Sequence, residues 1–189
     1  MFLLAYLIKN PLSLFRLSVG VVAALAFSGC ATMTEGQCLT ADWYEQGYRD
    51  GRQGFPASRV IDHRDACAVV GVVPDMEEYD VGRDRGLEVY CEPSNAIALG
   101  RAGGGYANVC PIRLEERFLF YYRQGLLVHE AQENLDSLSR QSRVLQDSLE
   151  KTEDAEEQKR LRGELRDLDG RLERARENLA DTERSIRYR

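Results

Sequence analysis

With 189 residues the chain has room for one small domain and an appendage, not for two large cores. A net charge of −6, from 31 acidic against 25 basic residues with no basic stripe or base-stacking aromatic platform, argues against nucleic acid, which recruits clustered Lys and Arg. Only two histidines are present, which leaves little for a conventional triad or a His-rich metal site.

Residues 1–29 read as a lipoprotein signal peptide. Lys9 and Arg16 supply positive charge, and the apolar run Leu17 to Phe27 has the length of a signal-peptide core and is too short to span a bilayer comfortably. It ends in Phe27-Ser28-Gly29-Cys30, which resembles a lipobox with small residues before the cysteine. The expectation is cleavage before Cys30 and lipid on its sulfur, with residues 30–37 as a lipidated tether; the alternative is an uncleaved anchor, because Phe2 to Ile8 is also apolar. By resemblance to sorting signals, Ala31 in place of Asp after the cysteine implies the outer membrane, periplasmic face.

With Cys30 lipidated, Cys38, Cys67, Cys91 and Cys110 remain, an even set for an oxidising compartment. Three connectivities are open; pairing of sequence neighbours favours Cys38 with Cys67 and Cys91 with Cys110. Residues 38–117 form a Cys/Gly-rich module with a degenerate repeat, an aromatic or apolar residue followed by Gly at three and seven: Tyr44-Gly47-Gly51, Tyr79-Gly82-Gly86, Ile97-Gly100-Gly104, and the half copy Tyr122-Gly125. Gly at i and i+4 shares one helical face and admits another backbone, and polar flanks such as Arg83-Asp84-Arg85 exclude hydrocarbon, so the glycines serve tight packing of short helices or turns. The functional alternative is a ligand or partner surface of Trp43, Tyr44, Tyr79 and Tyr90, aromatics suited to sugar rings and protein interfaces.

From about Leu114 the composition turns to Leu, Glu, Arg, Gln and Asp, and residues 118–189 read as a charged coiled-coil arm. Val128, Ala131, Leu135, Leu138, Ser142, Leu145 and Leu149 form one heptad seam; Leu161, Leu165, Leu168, Leu172, Ala175, Leu179, Thr182 and Ile186 form another. Twelve residues separate Leu149 from Leu161, so on one straight helix the stripes would be offset by roughly 120°. A break near Lys151 to Glu153, with Asp154-x-x-Glu157 restarting the helix, predicts an antiparallel hairpin; a continuous helix pairing with another chain is the alternative.

The run Cys38-Leu-Thr-Ala-Asp42-Trp43-Tyr-Glu-Gln-Gly47-Tyr-Arg-Asp50-Gly51, then Tyr79-x-x-Gly82-x-x-x-Gly86-Leu87-x-x-Tyr90-Cys91, then Gly100 to Cys110, resembles the domain-of-unknown-function family 2799 of small proteobacterial lipoproteins, over about Cys38 to Gly125. The resemblance implies an exported, lipid-anchored globular module, with no catalytic residues to transfer.

The residues offer thin support for catalysis. His63 and Cys67 at i and i+4, with Cys38, are a candidate zinc set, against which stand oxidation of Cys67 and a surface His63. His129 beside Glu130 suggests acid-base work but reads better as a solvated helical residue. Glu77 with Glu78 and Glu115 with Glu116 are adjacent, so each pair points in different directions. The expectation is a mainly α protein, a disulfide-stapled module of short helices and turns followed by a long arm. It needs no cofactor or metal and acts as a non-catalytic interaction or scaffolding protein, through a protein partner or self-association of the arm. A glycan-binding or small-ligand module is the alternative, and a zinc enzyme a third.

Overall fold

The computed structural model describes residues 32–187, in which all regular secondary structure is helical. Among the described residues there are seven α-helices: α1 (Glu35–Leu39), α2 (Trp43–Gln53), α3 (Arg59–Cys67), α4 (Met76–Tyr90), α5 (Pro93–Arg101), α6 (Ile112–Lys151) and α7 (Ala155–Arg187). Residues 32–40 and 61–73 form one unit, and residues 41–60 and 74–187 form the other.

In the smaller unit, Thr34 starts α1 through a complete capping box. Its hydroxyl accepts from the Gln37 N–H at 3.3 Å, while the Gln37 side chain accepts from the Thr34 N–H at 2.8 Å. Cys38 on α1 is bonded to Cys67 at the end of α3, with Cα atoms 5.4 Å apart. A 3₁₀ turn, Ala68–Val70, follows and is ended by Gly71 at φ 70°, a left-handed conformation that suits glycine. The sulfurs are buried, as is His63, whose Nδ1 lies 2.7 Å from the Thr32 hydroxyl. The expectation of a surface His63 is therefore corrected: the turn of chain before α1 covers it.

In the larger unit the glycine repeat decides the packing. Gly47 and Gly51 on α2 face Gly82 and Gly86 on α4 so closely that a methyl at any of the four would overlap a backbone carbonyl of the other helix. A methyl at Gly47 would strike the Tyr79 carbonyl, and one at Gly82 the Tyr44 carbonyl; Gly51 and Gly86 are matched in the same way with Arg83 and Tyr48. Each contact is mirrored by another 35 positions away, so the pair has internal two-fold symmetry. The third and fourth copies pair likewise. Gly100 on α5 abuts the Tyr122 carbonyl of α6, and Gly125 abuts the Ile97 carbonyl. The aromatic or apolar residue of each copy thus supplies the carbonyl against which its partner's glycine lies. Such approach allows Cα–H to carbonyl contacts and wide backbone dispersion in place of side-chain interdigitation. Gly104 departs from the expected pattern: α5 ends at Arg101, Gly103 takes φ 67°, and Gly104 lies beyond the helix beside Leu99.

Around the second seam lies an apolar cluster of Leu87, Tyr90, Cys91, Ala96, Cys110 and Phe118. Phe118 is wholly buried, with the rings of Tyr106, Tyr90 and Tyr122 at 4.7, 5.5 and 6.2 Å. The disulfide between Cys91 and Cys110, with Cα atoms 5.8 Å apart, closes the loop that carries Tyr106. Helix α6 starts at Ile112 and passes unbroken through residues 117 and 118, where the composition changes. Its first half carries Phe118, Tyr122 and Gly125 for the module, and its second half is one side of the arm.

Helix α6 stops at Lys151, and Asp154 caps α7 by accepting from the Glu157 N–H at 2.8 Å. Leu138 of α6 forms a buried cluster with Leu168, Leu172 and Ala175 of α7, flanked by Leu135 and Leu145. Every position of the two heptad seams is buried or half-buried.

Candidate interaction surfaces

Asp50 follows Gly47 by three positions on α2 and so lies near the glycine seam, where it is 4% exposed. It accepts from the Tyr79 hydroxyl at 2.7 Å through one oxygen and from the Gln46 amide at 3.2 Å through the other. Burial, and then the Asp50 carboxylate, push the Tyr79 phenol far above its ordinary range, against an opposing pull from Arg83 and Arg59. Tyr79 is consequently a permanent donor. Arg83 extends from the same helix to the Phe55 carbonyl at 3.0 Å, fastening the loop after α2. These polar groups lock α2 to α4 across the glycines, a structural use of side chains that an exposed site would have offered to a ligand.

The four aromatics considered as one ligand surface are therefore separated. Trp43 and Tyr44, in the first turn of α2 behind the Asp42 cap, are half-buried. Tyr79 is 0% exposed and Tyr90 8% exposed, so both belong to the core and are withdrawn from that surface. Tyr90 fills the space beside Gly54, at φ 73° after α2, where a side chain would collide with its ring. Sequence reasoning misses the burial of Tyr79 because an aromatic three positions before a glycine has the same pattern whether it covers the seam or faces solvent.

Tyr106 bridges two elements. Its oxygen accepts from the Cys110 N–H at 3.0 Å and donates to Glu115 at 3.1 Å; burial raises its phenol to about 12. Tyr122 donates to the Gly104 carbonyl at 2.8 Å, which holds the loop after α5 on α6. His129, expected as a solvated residue, is half-buried with its ring packed over Gly103 and Nδ1 3.3 Å from the Arg101 carbonyl. Glu115 is likewise engaged in structure, by Tyr106, whereas Glu77 is exposed and only its backbone N–H is held, by the Asp75 cap of α4. Cys38 and Cys67, considered with His63 for zinc, are joined to each other, and in that form neither sulfur is a thiolate ligand. Cys30 lies outside the described residues, as does the apolar segment before it. Among the described residues no helix is long and apolar enough to cross a membrane.

The arm carries a concave surface. Between α6 and α7 lies a groove of about 630 Å³, with Val144 and Leu145 from α6 and Leu168 from α7 as its apolar lining. Arg140 and Arg171 line it with positive charge, Glu164 and Asp167 with negative. Val144 is 65% exposed. It lies outside the heptad seam, so the groove is an apolar strip that the two helices leave uncovered.

Residues 42–127 match the model of a family described as Protein of unknown function (DUF2799). This segment is a DUF2799 domain. The match starts at the Asp42 cap of α2 and ends two residues after Gly125, so the domain comprises both glycine-seamed helix pairs. It includes Cys67, Cys91 and Cys110 but not Cys38, and it ends within α6 before most of the arm. No curated protein and no solved structure matches the chain.

Proposed function

We propose that the protein is a lipid-anchored envelope protein, held on the periplasmic face of the outer membrane through Cys30, and that it is a non-catalytic interaction or scaffolding module. The observation that carries the interaction reading is the arm. One 40-residue helix is rooted in the DUF2799 domain by Gly125 and Phe118 and continues into a helix pair with an uncovered apolar groove of mixed charge. Two disulfides among the described residues support an oxidising compartment, and the Phe27-Ser28-Gly29-Cys30 sequence supports the anchor. The buried polar residues of the domain are spent on helix pairing, which supports a binding role over catalysis.

The partner contact is tested by a photo-crosslinking side chain at Val144, in the groove, and at Asp147, which is exposed and paired with Lys151. A discrete adduct at Val144 that vanishes with Arg140→Glu and Arg171→Glu is expected. Equal adducts at both positions, or none at Val144, would remove the arm from the interaction. Adduct mass separates a second copy of this chain from another protein. Cysteines at Val144 and Glu164 test the hairpin in solution: a short bifunctional reagent joins them within one chain, whereas a continuous helix would hold them about 30 Å apart at 1.5 Å per residue. Density fractionation of envelopes, with Cys30→Ser as control, tests the anchor and its membrane.

A further inference from the structure

Apolar surface is distributed unevenly. Of eleven large hydrophobic residues that stand exposed among the described residues, Leu39, Ile61, Val69 and Val73 lie in the smaller unit, which contributes only residues 32–40 and 61–73. Val69 is 72% exposed, Val73 75% and Leu39 65%, four of eleven such residues falling in a unit of 22 described residues, while Ile112 at 92% and Val144 at 65% stand singly on α6. Between Asp65 and Asp75 the chain reads Ala-Cys-Ala-Val-Val-Gly-Val-Val-Pro with no charge. Gly71 at its apex has nothing within 4 Å of the position a side chain would take, so the tip faces open space. The disulfide from Cys67 to Cys38 ties this tip to α1, and α1 contacts the 3₁₀ turn that carries Val69.

Chain length supplies the occupant. Glu35 opens α1 only five residues after Cys30, a span of at most about 18 Å at 3.3–3.6 Å per residue. Building on the lipidation of Cys30 in the reading above, we propose that the Val69–Val73 tip and Leu39 insert into the interfacial layer of the bilayer that holds the acyl chains, as a second membrane contact beside the lipid. Exposed valines on a short leash from acyl chains meet lipid at high effective concentration, which raises the occupancy of a contact that the tip also makes with added vesicles. The described residues of this unit carry Glu35, Asp62 and Asp65 against Arg64, with His63 apart, so no basic patch draws it to anionic headgroups. The contact is apolar, and it forms equally on neutral and anionic lipid and at low and high salt.

The test uses the full-length protein, purified from membranes and reconstituted into phosphatidylcholine vesicles. Single cysteines at Val69, Val73 and, as control, Val144 carry an environment-sensitive fluorophore. The two tip labels should shift to the blue and be quenched by nitroxide-bearing lipids, unchanged by salt, while the Val144 label does neither. A label at Leu39→Cys should behave like the tip labels and lose its quenching in Val69→Asp with Val73→Asp, at unchanged melting temperature because both side chains are exposed.

Intact mass reports acylation separately. Acylated protein whose tip labels behave like the Val144 label overturns the docking and leaves the anchor standing. Unacylated protein whose tip labels still shift on added vesicles overturns the anchor and supports the docking, and unacylated protein with unshifted labels overturns both. A tip label covered without vesicles, in step with dimer mass, assigns the surface to a second copy and overturns the proposal.

Discussion

The glycine-seamed helix pairs and the arm bury helix faces by opposite means. Across α2 with α4, and α5 with α6, backbone touches backbone, and the side chains that matter are the ones absent at Gly47, Gly51, Gly82, Gly86, Gly100 and Gly125. Across α6 with α7, Leu138, Leu168, Leu172 and Ala175 form a buried cluster, as in a coiled coil. A leucine seam gains from apolar area and relaxes around small changes. A glycine seam gains from proximity and has rigid carbonyls as its neighbours, so it tolerates nothing at its contact points. The domain then needs other ties, and it has the Cys91 to Cys110 disulfide and the Asp50 to Tyr79 hydrogen bond.

The comparison breaks most sharply at Gly82→Ala. The added methyl would overlap the Tyr44 carbonyl and sit 2.7 Å from its carbon, and helix backbone cannot step aside without opening the seam. A loss of about 3 kcal/mol or more is expected in chemical denaturation. Leu168→Ala, at a position 3% exposed in the arm, should cost about 2–3 kcal/mol. Hydrogen exchange should accelerate in α7 and the distal half of α6, and stay slow in α2 and α4.

Tyr79→Phe tests the polar tie across the seam and should cost about 1.5–3 kcal/mol, the range for a hydrogen bond to a charged group. It also changes the alkaline limb. The folded phenol holds its proton above the ordinary 10.0, so the unfolded chain releases that proton first. Stability is therefore full below pH 10 and declines as pH rises beyond it, and Tyr79→Phe should shallow that decline in urea titrations. Tyr90 and Tyr106, also raised by burial, keep part of it. The smallest effect has the opposite sign. Gly163 lies inside α7 with nothing within 4 Å of a would-be side chain, so Gly163→Ala should stabilise the arm by about 0.5–1 kcal/mol, visible as a higher melting temperature. A glycine at a seam and one on a solvated face thus differ in sign under the same substitution.

Much of this architecture is legible in the residues. The aromatic or apolar residue three before the first glycine of each copy marks all four helices of the two seams, and the Leu149 to Leu161 offset with Asp154-x-x-Glu157 marks the break between α6 and α7. The candidate ligand surface was less legible. Tyr44 and Tyr79 occupy equivalent places in the repeat, yet one is half-buried and the other wholly buried, because only Tyr79 meets Asp50. His63 gives no periodic signal that Thr32 will cover it.

Periodicity is a property of one helix, and it determined which residues share a face, where helices start and stop, and that small residues recur on those faces. Which face meets which was decided in three dimensions. Copy one pairs with two and copy three with four, Gly104 drops out past the end of α5, and α6 serves both the domain and the arm. The physical reason is that a glycine face accepts any backbone that can reach it. The partner is then selected by chain connections, the disulfide and the buried hydrogen bonds, which only the folded chain brings together.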